Sequence, residues 1–330
     1  MNNAEIHALT EDQLRQFIDA ETSFRAAQHA WRDAQDVRGS MFWRHENGVP
    51  QLVRATTRGA QTRLGPQNAD TTAIFERFAT RKAELQSRLV SLNAAVERSQ
   101  RLNRALRVGR CPNVLIAILN QLTHHGVANH FITVGTHALY AYEAAAGVRL
   151  SPTALATQDI DILFDARKRL TFLTQLSRHD VSFIDILKKA DKSFTIMPDQ
   201  LQTAVNAQGF EVDVLRRMAQ NGDEHPMRMS ADEGDLWSMQ VGSGEALLSA
   251  RRFSQMVVAS NGSMARLDTV DPTDFVRIKR LLATSSQRDP RKRPKDALQA
   301  DLVEQLILEF QIDQRIDRAT AAVDLVDSKV

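Results

Sequence analysis

The segment Thr157-Gln158-Asp159-Ile160-Asp161-Ile162-Leu163-Phe164 restricts more than any other what this chain can build. Its two carboxylates sit two residues apart inside an otherwise apolar run, which predicts a strand over Asp159–Phe164. Side-chain direction in a strand repeats every second residue, so Asp159 and Asp161 share one face and Ile160 and Ile162 the other. Two adjacent buried carboxylates lose hydration and repel each other unless a cation lies between them. A divalent metal is the simplest compensation.

A chain of 330 residues has room for two domains, or for one catalytic domain with an appended module. With 43% hydrophobic and 25% charged residues it belongs with soluble globular proteins, not with disordered or fibrous ones. No run approaches the roughly 20 apolar residues of a membrane span, and Met1 to Arg15 is polar without an apolar signal core, so a cytoplasmic protein with no membrane partner is expected. Cys111 is the single cysteine, which excludes an intrachain disulfide and a thiolate metal cage and predicts a core thiol. The formal charge of +2 permits nucleic-acid contact through local patches without requiring it.

Apolar residues at helical spacing predict a helix over Glu11 to Asp36 and a long one from Thr71 to about Leu106. Between them the turn signals Asn47-Gly48 and Arg58-Gly59 separate three short strands. A helix is expected from about Pro112 to His125. The strand Phe131–Val134 follows, then a turn at Gly135 and a helix from Thr136 to Ala146. Val148 to Gln158 reads as a loop, and Gly209 to Leu215 as a strand of alternating apolar and acidic residues. Gln255 to Val258 and Met264 to Val270 flank the hairpin signal Asn261-Gly262. The segment from Asp271 reads as helical, interrupted by the basic stretch Arg288 to Lys295 and resuming to Phe310, with the last dozen residues frayed. The expected domains are therefore 1–110, a helix, small meander and long helix; 111–270, an α/β catalytic unit; and 271–330, a helical region.

Val134-Gly135-Thr136, Asp159-Ile160-Asp161 and Val212-Asp213-Val214 together resemble the nucleotidyltransferase superfamily of the DNA polymerase β type, whose pattern is a Gly-Ser turn, an Asp-x-Asp strand and a third acidic strand residue. The phrase Gly135-Thr136-His137-Ala138-Leu139-Tyr140-Ala141-Tyr142-Glu143 resembles a bacterial standalone group distantly similar to AbiEii-like toxins. The resemblance implies an α+β fold, a short mixed sheet with flanking helices. It also implies a Mg²⁺-dependent enzyme that moves a nucleoside monophosphate from a nucleoside triphosphate to a hydroxyl acceptor. Thr136 stands where serine is usual, which keeps the hydroxyl, and the interval from Gly135 to Asp159 is longer than in minimal members.

On this resemblance Asp159, Asp161 and Asp213 are the catalytic and metal-binding residues, holding two Mg²⁺ ions, with Mn²⁺ as an alternative. Glu211 shares a face with Asp213 and is the other candidate for the third ligand. Gly135 and Thr136 would hold the triphosphate, because a glycine before a helix lets phosphate approach free amides. Lys279 would bind the nucleotide, and Arg288, Lys292, Arg293 and Lys295 are further basic residues in the region where related enzymes place cations against the triphosphate. His137, Tyr140, Tyr142 and Glu143 divide between substrate contact and packing.

Three other signals carry less. Gly242-Ser243-Gly244 lacks a third glycine and a clear preceding strand, so a dinucleotide fingerprint is not expected. His124, His125 and His130 have no metal-ligand spacing and read as surface residues. The meander carries Arg44, Arg54, Arg58 and Arg63 beside Phe42 and Trp43 and resembles the small sheets with which phage integrases touch DNA, which makes nucleic acid one candidate partner. The acceptor stays open among RNA, protein and small molecule. The competing function is a nucleic-acid-binding protein with a vestigial transferase fold, a toxin or defence component being a compatible biological role.

Overall fold

Alternation and helical periodicity in the first hundred residues translate into structure with little change. The computed structural model describes residues 5–220 and 222–315, and the frayed end expected over the last dozen residues lies outside them. The chain divides into two compact units. One is Arg15–Leu106, and the other combines the described residues of 1–14 with those of 107–330.

The chain opens with β1 (Ile6–Ala8) and α1 (Glu11–Asp36). Within the Arg15–Leu106 unit α1 buries Gln16, Ala20, Phe24, Ala27 and Ala30, a single stripe at three- and four-residue spacing. The strands β2 (Ser40–Glu46), β3 (Val49–Ala55) and β4 (Gln61–Pro66) form an antiparallel sheet in chain order. Asn47 and Gly48 between β2 and β3 both have positive φ, 51° and 79°, the backbone of a tight hairpin turn whose twist suits the strands it joins. The long helix α2 (Ala69–Ala105) starts at a capping box, Asn68 Oδ1 accepting from Thr71 N at 2.8 Å and Thr71 Oγ1 accepting from Asn68 N at 2.9 Å. Polar contacts tie α1 to α2: Gln16 Nε2 donates to Asn103 Oδ1 at 3.0 Å, and the Ser23 and Ser99 hydroxyls lie 3.0 Å apart.

The second unit continues with α3 (Asn113–His124), β5 (Phe131–Val134), α4 (Leu139–Ala146), β6 (Val148–Leu150), α5 (Pro152–Leu155) and β7 (Asp159–Phe164). Next come α6 (Arg169–His179), α7 (Phe183–Ala190), β8 (Thr195–Met197), β9 (Gln200–Val205) and β10 (Glu211–Arg217). The rest is β11 (Met227–Arg228), β12 (Trp237–Val241), α8 (Gly244–Ser249), the hairpin β13 (Arg252–Val258) and β14 (Met264–Val270), then α9 (Pro272–Thr284) and α10 (Arg293–Phe310). The main sheet is mixed and runs β11-β12-β10-β7-β5, with β7 and β10 parallel and β5 antiparallel to β7. The other edge of β10 is divided: antiparallel β9 covers Glu211 to Asp213, and parallel β12 covers Leu215 to Arg217. This is an α+β architecture, a mixed sheet flanked by helices.

Phe131 of β5, Phe164 of β7, Phe172 of α6 and Phe183 of α7 form an aromatic cluster with ring centroids as close as 4.9 Å. Burying each ring contributes about 1.5–3 kcal/mol, whereas an exposed ion pair contributes about 0–1 kcal/mol. Aromatic packing therefore fixes these helices on the sheet. The amino end of α7 is held by buried Asp235, whose carboxylate accepts from Phe183 N at 2.9 Å and Ile184 N at 2.8 Å.

Four local expectations need correction. The segment Val148 to Gln158 is not one loop: β6 pairs antiparallel with β1, Ile6 opposite Leu150, and α5 follows with Pro152 in its first turn. β6 gains a ladder only from a segment some 140 residues away, so no local pattern announces it. The helix expected from Thr136 opens as a 3-10 turn over Gly135–Ala138 before α4 begins. His125 and His130 are buried, not surface residues, His130 because it leads into β5 and packs against Phe172 with ring centroids 5.5 Å apart. A strand, β12, does precede Gly242-Ser243-Gly244, but Gly244 serves close packing, since a Cβ there would lie 2.5 Å from the Cα of Arg217.

Candidate active site

The register of two parallel strands brings the acidic residues together. Asp159 lies opposite Glu211 and Asp161 opposite Asp213 across β7 and β10. Carboxylate oxygens of Asp159, Asp161 and Asp213 all lie within 4.8 Å of one another, and each side chain is partly exposed. Glu211 shares the face with Asp213 but is not part of this group.

Hydroxyls brace the two outer carboxylates. The Thr157 side chain donates to Asp159 Oδ1, and Thr203 Oγ1 donates to Asp213 Oδ1 at 2.5 Å. Thr203 reaches Asp213 because β9 places it directly across the ladder. Among the described residues the middle carboxylate has no such donor, and surrounding protein together with the charges of Asp159 and Asp213 pushes Asp161 up to about 7. Surrounding protein also raises Asp213, against the pull of the Thr203 hydrogen bond. Asp159 moves the other way: burial opposes its charge, but the Thr157 hydroxyl, a backbone amide and Lys292 outweigh it and leave its acidity increased. Two ionised carboxylates at this spacing repel by about 3–4 kcal/mol at an effective dielectric near 20. That exceeds the roughly 1.4 kcal/mol that shifts a protonation equilibrium tenfold, so the group either keeps a proton near neutrality or takes up a cation.

Gly135 occupies the opposite wall. Val134, the last residue of β5, pairs with Asp161, so the chain turns beside that carboxylate. Gly135 has φ +67°, and a Cβ built on it would lie 2.3 Å from Asp161 Oδ2. The glycine is needed first to let the Asp161 side chain lie against the turn, a closer constraint than the approach of phosphate to free amides. Thr136 follows, partly exposed, its Oγ1 accepting from Gln299 Nε2 at 3.1 Å.

The basic side comes from α9 and from the start of α10. Lys279 is buried and its Nζ donates to Asp296 Oδ1 at 2.7 Å; Arg288 Nε donates to Asp296 Oδ2 at 2.8 Å. Burial lowers the Lys279 pKa against the pull of Asp296, and the ammonium also lies within electrostatic reach of Asp161. Lys292, exposed at the amino end of α10, acts electrostatically on all three aspartates. Lys295 acts on Asp159 and donates to Ala156 O at 2.7 Å.

His137 is buried against Tyr140 and Phe210, its Nδ1 without a hydrogen-bond partner, and burial lowers its pKa to about 4 despite nearby Asp159. Tyr142 is fully buried with its hydroxyl donating to Val270 O at 2.7 Å, and Glu143 pairs with Arg110 and accepts from Leu150 N at 2.5 Å. These two side chains hold α4 in place. Thr203 and Gln299 carry no signal in the sequence. Thr203 is adjacent to Asp213 only through strand pairing, and Gln299 lies 163 residues from Thr136.

In the Arg15–Leu106 unit, Arg44 donates to Gln61 and faces Glu46 at 3.8 Å; Arg63 donates to Gln51 at 3.0 Å and faces Glu46 at 3.5 Å. Arg54 donates to Arg38 O at 2.6 Å and lies over the Phe78 ring at 4.3 Å. Arg44, Arg54 and Arg63 are thus engaged within their own sheet and helix.

A mixed sheet with a carboxylate triad at the start of two parallel strands, a glycine turn against it and lysines beside it points to a transferase that works with a metal ion. Residues 113–324, more than half of the chain, match the family model described as Nucleotidyltransferase, and the chain belongs to that family. No curated protein and no solved structure matches it. Among the described residues no helix is long and apolar enough to cross a membrane.

Proposed function

We propose that this chain transfers a nucleoside monophosphate from a nucleoside triphosphate to a hydroxyl acceptor and releases pyrophosphate, the chemistry of EC 2.7.7. The observation that carries the reading is the triad of Asp159, Asp161 and Asp213 around an oxygen-lined point where the middle carboxylate resists ionising alone. Hard oxygen donors with an excess of negative charge suit Mg²⁺, with Mn²⁺ as an alternative. Asp159 and Asp161 would hold two ions and Asp213 would complete the second. Bound there, the metal supplies Lewis-acid stabilisation of charge on the phosphates.

The remaining work falls to the chain. Thr136 and the turn at Gly135 hold the triphosphate. Lys279 contributes to nucleotide binding as a fixed background charge, because its ammonium is already engaged by Asp296, and Lys292 makes the direct approach. In the transfer, the acceptor oxygen bonds to the α-phosphorus as the bond to the pyrophosphate oxygen breaks, its electron pair leaving with pyrophosphate. The acceptor proton passes to Asp213.

ATP is one candidate donor, and the acceptor is RNA, a protein or a small molecule. The segment from Gly135 to Glu143 supports kinship with a bacterial, cytoplasmic group distantly similar to AbiEii-like toxins. A vestigial fold serving only nucleic-acid binding is less well supported, because such a scaffold gains nothing from three mutually repelling carboxylates. The test is incubation of the full chain with each labelled nucleoside triphosphate, Mg²⁺ and a cell extract. Label transferred by the native chain and not by Asp161→Asn is expected; equal labelling by both would overturn the assignment.

A further inference from the structure

We infer that Gln299 is a positioning residue that aims the Thr136 hydroxyl proton at the bound triphosphate, an inference that rests on the nucleotidyl-transfer reading of the same site. Gln299 is fully buried on α10. Its Nε2 donates to Ala154 O at 2.7 Å and to Thr136 Oγ1 at 3.1 Å. A backbone carbonyl only accepts, so the atom facing Ala154 has to be the amide nitrogen, and the orientation of the amide is settled. Both N–H bonds are then committed, one to Ala154 and one to Thr136.

The hydroxyl of Thr136 has one proton and two lone pairs. Gln299 fills a lone pair and, having only donors on that nitrogen, cannot take the proton. Among the described residues no other hydrogen-bond partner of Thr136 Oγ1 is found, so its proton is left to donate on the open side of the turn. A bridging phosphate oxygen of a triphosphate is an acceptor without a proton of its own near neutrality, and Thr136 is partly exposed. Gln299 thus leaves the hydroxyl with its proton and one lone pair, and a ligand group that only accepts can take the proton alone.

A second observation separates this from packing. The Gln299 Oε1 atom is buried and has no partner among the described residues. A side chain kept only to fill space gains nothing by burying an empty carbonyl, whereas one kept for two N–H bonds has to carry that oxygen with it. Lys295 and Gln299 lie four residues apart on one face of α10, with Lys292 at its N-cap, so the start of this helix carries both the cations and this amide.

The experiment is a double-mutant cycle on the full chain, with calorimetric binding of ATP, GTP, CTP and UTP, each with Mg²⁺, and thermal melts as a control for folding. Gln299→Met is expected to weaken triphosphate binding about 3- to 10-fold, the range for one neutral hydrogen bond. In a Thr136→Val background the same change should add nothing further. Equal loss in both backgrounds would overturn the inference and reduce Gln299 to a support for the Ala154 segment. If Gln299→Met melts early, Gln299→Asn, which withdraws the amide from both partners, runs the same cycle with the same two outcomes. Absence of binding by the native chain to any of the four triphosphates is a different result, and it would remove the transferase reading together with this one.

Discussion

The two compact units treat charge in opposite ways. In Arg15–Leu106 the ionic side chains stay at the surface and find partners there: Arg25 with Glu21, Arg63 with Glu46, Arg81 with Asp36. Its buried positions are filled by alanine, valine, Phe24, Leu52 and a few neutral polar groups. In the sheet unit three partly exposed carboxylates of one sign are gathered at one point, and Lys279 and Asp296 form a buried pair of their own. Surface pairs contribute little to stability and cost little to keep. Clustered like charges are costly, and a fold retains them where a ligand completes them. The contrast separates a unit whose charges are explained by solubility from one whose charges demand an occupant.

The largest effect expected from breaking that contrast is at Asp161. Asp161→Asn should reduce transfer by more than the roughly 10- to 100-fold typical for losing an outer-shell partner of a metal ligand. The metal-free protein should melt no lower than the native chain, since one repelling charge is gone; stopped-time transfer assays and scanning calorimetry without Mg²⁺ check the two halves. Second is Gly135→Ala. Its Cβ would meet Asp161 Oδ2 at 2.3 Å and its φ of +67° suits glycine, so a loss of about 1–3 kcal/mol in stability is expected, together with weaker Mg²⁺ binding by titration calorimetry. An unchanged Mg²⁺ isotherm would show that the turn and the carboxylate are independent.

The third effect is a pH dependence. In the unfolded chain Asp161 ionises near the usual value of about 4, and in the folded, metal-free chain only near about 7. Between these values the folded state holds the extra proton, so the contribution of this residue to stability is largest below about 4 and falls as pH rises to about 7. The difference in melting temperature between native chain and Asp161→Asn should therefore move in favour of the variant across that interval. Stabilisation by Mg²⁺ should be greater at pH 8 than at pH 5. A pH-independent difference would mean that the aspartates do not interact.

The smallest effect concerns the meander. Replacing Arg44, Arg58 and Arg63 by Gln should leave triphosphate affinity unchanged. If this sheet recruits a nucleic-acid acceptor, the salt dependence of RNA binding should flatten by about one unit of slope for each phosphate that is no longer neutralised. Identical salt slopes for native and substituted chains would leave Arg44 and Arg63 as surface partners of Glu46, Gln51 and Gln61 and would bring the two units to their sharpest contrast.

What can be read from sequence follows the range of each interaction. The helix Glu11–Asp36 and the strand Asp159–Phe164 are legible because periodicity is local, and Asn47-Gly48 because a two-residue turn carries its own backbone demand. The triad is legible as three residues, since strand alternation orients Asp159 and Asp161 alike; that Asp213 and not Glu211 joins the group depends on register, which no single strand encodes. Thr203, Gln299 and the β1–β6 ladder depend on partners 10, 163 and about 140 residues away, where sequence spacing carries no signal. The nearness of Lys279 to the carboxylates follows from the family pattern, but its pairing with Asp296 is a tertiary fact.

On the proposed function, the contact between Gly135 and Asp161 would also link two ligands. A turn that leaves no room for a methyl group against a carboxylate cannot shift without moving that carboxylate, so triphosphate held by the turn and metal held by Asp161 share one mechanical element. Each ligand would then bind more tightly in the presence of the other, and by the same factor in either direction. Metal would load poorly on its own and readily as the complex with its nucleotide, so the cluster would fill mainly when substrate arrives.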